Sequence, residues 1–129
     1  MIVLDASVLI AHFYAKDAHH ERADRLLAEV ADSQLLASPL TLAEVLVGPI
    51  KIGLLEQARV ALRELGVRSV ALHDDAYLGL AELRAMTNLR LPDCCVLLAA
   101  EQEEAALATF DGRLGAVADR RGVAVLGLS

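Results

Sequence analysis

Four carboxylates in this chain stand where one secondary-structure element would give way to the next. Asp5 follows an opening apolar run, Glu44 falls in the first turns of a helix, Asp93 lies at the start of another, and Asp111 follows a late apolar run. Carboxylates gathered in one place repel, so such a set is tolerated only if cations neutralise it. Hard oxygen ligands with no accompanying histidine suit Mg²⁺ or Mn²⁺ rather than zinc. A divalent ion held by carboxylates and water can activate that water, bind a phosphate oxygen and stabilise a leaving alkoxide, the three requirements of phosphodiester hydrolysis. Each acid also has a local explanation. Asp5 or Ser7 could cap a helix opening near Val8, and Thr41-Leu42-Ala43-Glu44 matches a capping box. Asp93 after Pro92 suits a helix N-terminus, and Asp111-Gly112 is a turn or cap signal. The two readings separate on whether the fold brings the four together.

The elements that would position these acids can be read from hydrophobic patterning. Ile2-Val3-Leu4 is a continuous apolar run, as expected of a strand buried on both faces of a parallel sheet. Further strands are expected within residues 34–37, 67–72, 105–110 and 123–126. Helical spacing or capping signals place helices over 7–14, 20–31, 53–65, 73–87, 92–100 and 114–120. Another begins at Ser38-Pro39 and runs through Val47, with Gly48 and Pro49 expected to stop it. Strands alternating with helices predict an α/β fold, a three-layer α/β/α sandwich around a central parallel sheet of four to five strands. In such a sheet the strand C-termini and the N-termini of the following helices share one edge, so the four acids can converge there.

With 129 residues, the chain is expected to form a single domain over 1–129 whose core needs no disulfide or structural metal. Aromatics make up 3% and Trp is absent, so that core must be mostly Ala, Leu and Val. No apolar run approaches the ~18 residues of a membrane helix, and no basic segment precedes the first apolar stretch, so a soluble cytoplasmic protein without membrane association is expected. Cys94 and Cys95 are adjacent, cannot form an ordinary disulfide with one another, and read as small buried residues. A formal net charge of −6 argues against general nucleic-acid binding, yet setting aside four of the 18 acids as metal ligands leaves −2. Ten of the 12 basic residues are Arg, the better bidentate partner for phosphate.

The segments DAS after the opening run, SPLTLAEV, LPDCCVLLAA and LATFDGRL, taken in that order, resemble the PIN-domain family. At this length the chain is similar to a VapC-type toxin ribonuclease of a type II toxin–antitoxin pair. The resemblance covers nearly the whole chain. It implies that Asp5, Glu44, Asp93 and Asp111 are the catalytic, metal-binding acids, and that Ser7 and Thr109 are polar residues that help to arrange the site. It also implies Mg²⁺- or Mn²⁺-dependent RNA cleavage by metal-activated water, a homodimer, and a small VapB-type antitoxin whose C-terminal segment blocks the active-site groove. Cys94 and Cys95 replace the small residues more usual in the family. Position 113 is Arg where some relatives carry another acid, so Arg113 is a supporting candidate and the number of metals is left open.

Other residues have weaker claims. Asp119 could supply a fifth acid, but a solvated pair with Arg120 or Arg121 accounts for it as well. The four histidines lack the paired spacing of a metal motif, and two tyrosines are too few for a base-stacking platform. Arg84, Arg90 and Arg113 flank the acid-bearing segments and could hold RNA phosphates, or could be ordinary exposed helix charges. Two rival functions stand beside the nuclease. A receiver-like signalling module would bind Mg²⁺ at strand ends, but it would need an acidic pair where Asp5 is single. A PIN-like domain that has lost catalysis would only bind a partner, but it need not keep all four acids.

Overall fold

Ile2, Val3 and Leu4 are buried on both faces, and the sheet is built outward from them in two directions. The computed structural model describes residues 1–128. In chain order the elements are β1 (Ile2–Leu4), α1 (Ala6–Phe13), α2 (His20–Glu29), β2 (Leu35–Ala37), α3 (Pro39–Lys51), α4 (Leu55–Leu65), β3 (Val67–Ser69), α5 (Ala76–Thr87), α6 (Leu91–Gln102), β4 (Ala106–Ala108), α7 (Gly112–Arg120) and β5 (Val125–Leu126). The five strands lie in the order β3-β2-β1-β4-β5, and every pairing is parallel. The expected α/β/α sandwich is therefore the observed fold.

The two-residue repeat of a strand divides the core. Ile2 and Leu4 point to one face with Leu35 and Ala108, where they meet Val8, Leu26, Leu27, Val45 and Leu62 from α1 to α4. Val3, Leu36 and Leu107 point to the other, against Leu83, Val96, Leu97, Leu114 and Val117 from α5 to α7. The division follows from chain direction. From β1 the chain steps outward to β2 and β3, then returns to place β4 on the other side of β1 and continues outward to β5. Right-handed crossovers made in opposite directions leave their helices on opposite faces. The reversal falls between β1 and β4, and the crevice beyond their C-terminal ends is where this architecture places a ligand.

Gly48 and Pro49 do not stop α3, which continues to Lys51. A proline removes one backbone donor and crowds the carbonyl four residues back, but in the last turn few bonds remain to be lost. Pro49 is buried, and its carbonyl accepts the Leu54 N–H at 2.8 Å, which winds up the helix end. The chain turns at Gly53, whose φ of +74° is the left-handed conformation that glycine adopts freely. Gly48 plays a different part: its lack of a Cβ leaves room for the Tyr14 hydroxyl. The expected opening of α5 at His73 to Asp75 is a turn that precedes the helix. Apart from β1, the strands are shorter than the segments expected to hold them, and β3, at the sheet edge, exposes Arg68 and Ser69.

Leu4 and Leu107 are fully buried on opposite faces. We expect Leu4→Ala and Leu107→Ala each to lower unfolding free energy in urea by about 2–5 kcal/mol. A loss below about 1 kcal/mol at either position would contradict the packing described.

Candidate active site

The ends of β1 and β4 are joined by side chains as well as by the sheet ladder. Asp5 donates its backbone N–H to Ala108 O at 2.9 Å and then caps α1, its Oδ1 accepting the Ala6 N–H at 2.9 Å. Its Oδ2 accepts two hydroxyls, from Ser7 Oγ at 2.8 Å and Thr109 Oγ1 at 2.7 Å. Ser7 Oγ in turn accepts the Phe110 N–H at 3.1 Å, and Thr109 Oγ1 accepts the Asp111 N–H at 2.9 Å. A hydroxyl has one proton to give. With backbone N–H groups directed at both oxygens, Ser7 and Thr109 each spend that proton on Asp5, which fixes the carboxylate's orientation.

Asp111 caps α7, with Oδ1 accepting from the Arg113 N–H at 2.9 Å and the Leu114 N–H at 3.4 Å. Asp93 lies in the first turn of α6 and is buried. Its Oδ2 is 3.8 Å from the Nε of Arg90. Glu44 is half-buried, a turn and a half into α3. The capping-box explanation of Thr41 and Glu44 fails, because the cap of α3 is Ser38, whose Oγ accepts the Thr41 N–H at 3.2 Å. Thr41 is buried beneath that cap, its Oγ1 accepting from Ser38 Oγ at 3.1 Å, and Glu44 is left without a capping role.

The acids share one electrostatic neighbourhood. Burial pushes the Glu44 carboxyl above the usual carboxylate range, and the charge of Asp5 pushes it further; Arg90 opposes the rise and Asp93 adds to it. Burial likewise raises Asp93, with Asp5 the next largest cause, Arg90 opposing and Asp111 adding to it. The charges of Asp5, Asp93 and Asp111 are thus felt by one another or by Glu44, across elements far apart in sequence. Among the described residues, no three His, Cys, Asp or Glu side chains close into a cage that could hold a metal ion by themselves.

Ser7 and Thr109 both hydrogen-bond directly to Asp5. Arg113 is exposed and gives Asp111 its backbone N–H. Asp119 is exposed late in α7. Arg90, one of three arginines equally weighted in the sequence, is the one whose charge reaches both Glu44 and Asp93. Arg84 is instead tied to Leu89 O at 3.1 Å. An apolar cavity of about 220 Å³, lined by Phe13, Tyr14, Pro49, Ile52 and Leu54 among others, contains none of the four acids.

The family model of the PIN domain matches residues 2–120. Among solved structures, the chain is similar to a toxin–antitoxin complex from Klebsiella pneumoniae, with 24% identity, 90% of this chain and 91% of that one covered, and a TM-score of 0.72. It is also similar to VapC20 of Mycobacterium tuberculosis, a sarcin–ricin loop cleaving toxin, with 21% identity, coverage of 91% and 95%, and a TM-score of 0.74. A third is FitAcB from Neisseria gonorrhoeae, with 23% identity, coverage of 97% and 96%, and a TM-score of 0.76. No curated protein matches the sequence.

The raised carboxyls set the sign of a pH effect. Their folded-state pKa values exceed the unfolded ones, so the folded state binds more protons, and stability falls as pH rises from about 4 through the raised values. Asp93→Asn is therefore expected to raise the melting temperature in EDTA by a few degrees at pH 7 and by little at pH 4. Thermal melts across that range check it; a lower melting temperature at pH 7 would contradict the repulsion.

Proposed function

The chain belongs to the PIN-domain family, and we propose that it is a Mg²⁺- or Mn²⁺-dependent endoribonuclease, the toxin of a toxin–antitoxin pair. The observation that carries this reading is the carboxylate of Asp5, oriented by two hydroxyls, whose charge together with burial pushes the carboxyls of Glu44 and Asp93 up. The donor set consists of carboxylate oxygens with no imidazole among them, which fits a hard divalent cation. The open arrangement fits as well. Mg²⁺ keeps much of its water and is usually held through one or two carboxylates together with substrate phosphates, so a closed protein cage is not required.

Asp5, Glu44, Asp93 and Asp111 would hold the ion, which when bound supplies Lewis acidity to a phosphate oxygen and lowers the pKa of water. Ser7 and Thr109 fix which Asp5 lone pairs face the site. Asp111 has Oδ1 committed to the start of α7, leaving Oδ2 to turn toward the pocket. Asp93 lies in the first turn of α6, where the positive end of the helix dipole works against the burial that disfavours its charge. Hydrolysis by water, with the 3′ oxygen leaving, gives 5′-phosphate and 3′-hydroxyl ends.

A toxin of this kind acts as one PIN domain spanning 1–129, in the cytoplasm, as a homodimer restrained by a small VapB-type antitoxin. The fold shared with a sarcin–ricin loop cleaving toxin and with a toxin–antitoxin complex supports that assignment. Exposed apolar side chains support the existence of protein partners: Val47, Ile50, Ile52 and Leu54 near the end of α3, and Tyr77, Leu78 and Met86 on α5. Among the described residues no helix is long and apolar enough to cross a membrane.

Incubation of the purified protein with structured RNAs tests the proposal. Cleavage is expected with Mn²⁺ or Mg²⁺ and not with EDTA, leaving 5′-phosphate ends. Asp5→Asn or Asp93→Asn is expected to lower the rate by more than about 100-fold, and Thr109→Val by about 10- to 100-fold, the range of a residue that orients a metal ligand. Undiminished cleavage in EDTA, or full activity of Asp93→Asn, would overturn the site. Binding of RNA without cleavage would leave an inactive binding domain.

A further inference from the structure

The N-cap position of α6 is occupied by a residue whose side chain does not cap the helix. Arg90 is the N-cap, with extended backbone (φ −68°, ψ 155°), and its side chain makes no capping bond. A cation at a helix N-terminus faces the positive end of the dipole, where Ser, Thr, Asp or Asn would serve better. Its backbone is nevertheless well fixed, the carbonyl accepting the Cys94 N–H at 3.0 Å. The side chain is 74% exposed, whereas that of Asp93, 3.8 Å away, is 10% exposed. The acid is thus buried and the guanidinium beside it is exposed. At 3.8 Å the contact is Coulombic rather than a hydrogen bond, so the planar fork of N–H donors stays available to a ligand.

We propose that Arg90 is the substrate-phosphate anchor of this site, held over the acids by Asp93 when the pocket is metal-free and released to grip an RNA phosphate once divalent cations neutralise the carboxylates. The inference rests on the metal-dependent ribonuclease reading above. The charge accounting supports it: a pocket of four acids would repel RNA, and a guanidinium on a fixed backbone at its rim gives a phosphate its first favourable contact. The same cation competes with metal in the free protein, so its removal changes the two affinities in opposite directions.

Arg90→Gln, Arg90→Lys and Asp93→Asn are compared with wild type in two measurements: Mn²⁺ binding by calorimetry without RNA, and steady-state cleavage of a structured RNA. For Arg90→Gln, Mn²⁺ should bind about three- to tenfold more tightly, as expected when one partly screened charge is removed. Its KM should rise about tenfold with kcat nearly unchanged, the mark of lost binding that is uniform along the reaction. Arg90→Lys should keep the wild-type Mn²⁺ affinity and recover only part of KM, because an ammonium lacks the fork. If Asp93→Asn loses Mn²⁺ while Arg90→Gln matches wild type in both measurements, the role of Arg90 is overturned and the metal site stands. Tighter Mn²⁺ binding with unchanged KM would overturn the phosphate assignment. Wild-type protein that neither binds Mn²⁺ nor cleaves RNA would overturn both readings together.

Discussion

Two hydroxyl protons and a backbone N–H converge on one carboxylate, at the point where the sheet changes direction. Asp5 ends the central strand, and Thr109 ends the strand laid beside it on the return path. Their hydrogen bond therefore spans the topological switch of the fold. Because Ser7 and Thr109 each accept a backbone N–H from the β4–α7 connection, the main chain leaving β4 orients the carboxylate through the two hydroxyls. The position of Asp111 depends on the same connection, since its own N–H supplies one of those bonds.

Around this fixed point the other acids are a cost to folding. Glu44 and Asp93 are raised first by burial and then by the charge of Asp5, and a domain selected only for stability would place amides or apolar groups there. The two well-packed cores on either side of the sheet carry the stability that tolerates this, and functional sites often concentrate such conflicts. Under the proposed function an external cation would relieve the conflict, because repulsion among carboxylates also favours binding of a divalent ion. Arg90 supplies a partial internal substitute at the rim, where it is solvated and screened.

Much of this was legible in the residues. The apolar run Ile2-Val3-Leu4 could hardly be other than a central strand, and acids at element ends mapped onto one sheet edge as soon as the sheet was taken as parallel. Local signals misled where tertiary context prevailed. Gly48-Pro49 reads as a stop, yet Gly48 makes room for Tyr14 and the helix runs on to a left-handed Gly53. Thr41 and Glu44 have the spacing of a capping box, yet Ser38, three residues earlier, holds the cap and leaves Glu44 to the pocket. Arg90 could not be separated from Arg84 by sequence, because the difference is spatial: one guanidinium is tied to Leu89 O and the other looks over the acids. A cation standing where a helix prefers an N-cap acceptor was the one available clue.

In the proposed site a divalent cation would complete a set of carboxylates made up of Asp5, Glu44, Asp93 and Asp111. The most direct measurement is an anomalous difference map from a crystal of the protein soaked in Mn²⁺. A peak bonded to carboxylate oxygens of this set, with Asp5 still held by Ser7 and Thr109, is the predicted result. A fully soaked crystal with no peak among these acids, or with Mn²⁺ bound only elsewhere on the molecule, would contradict it.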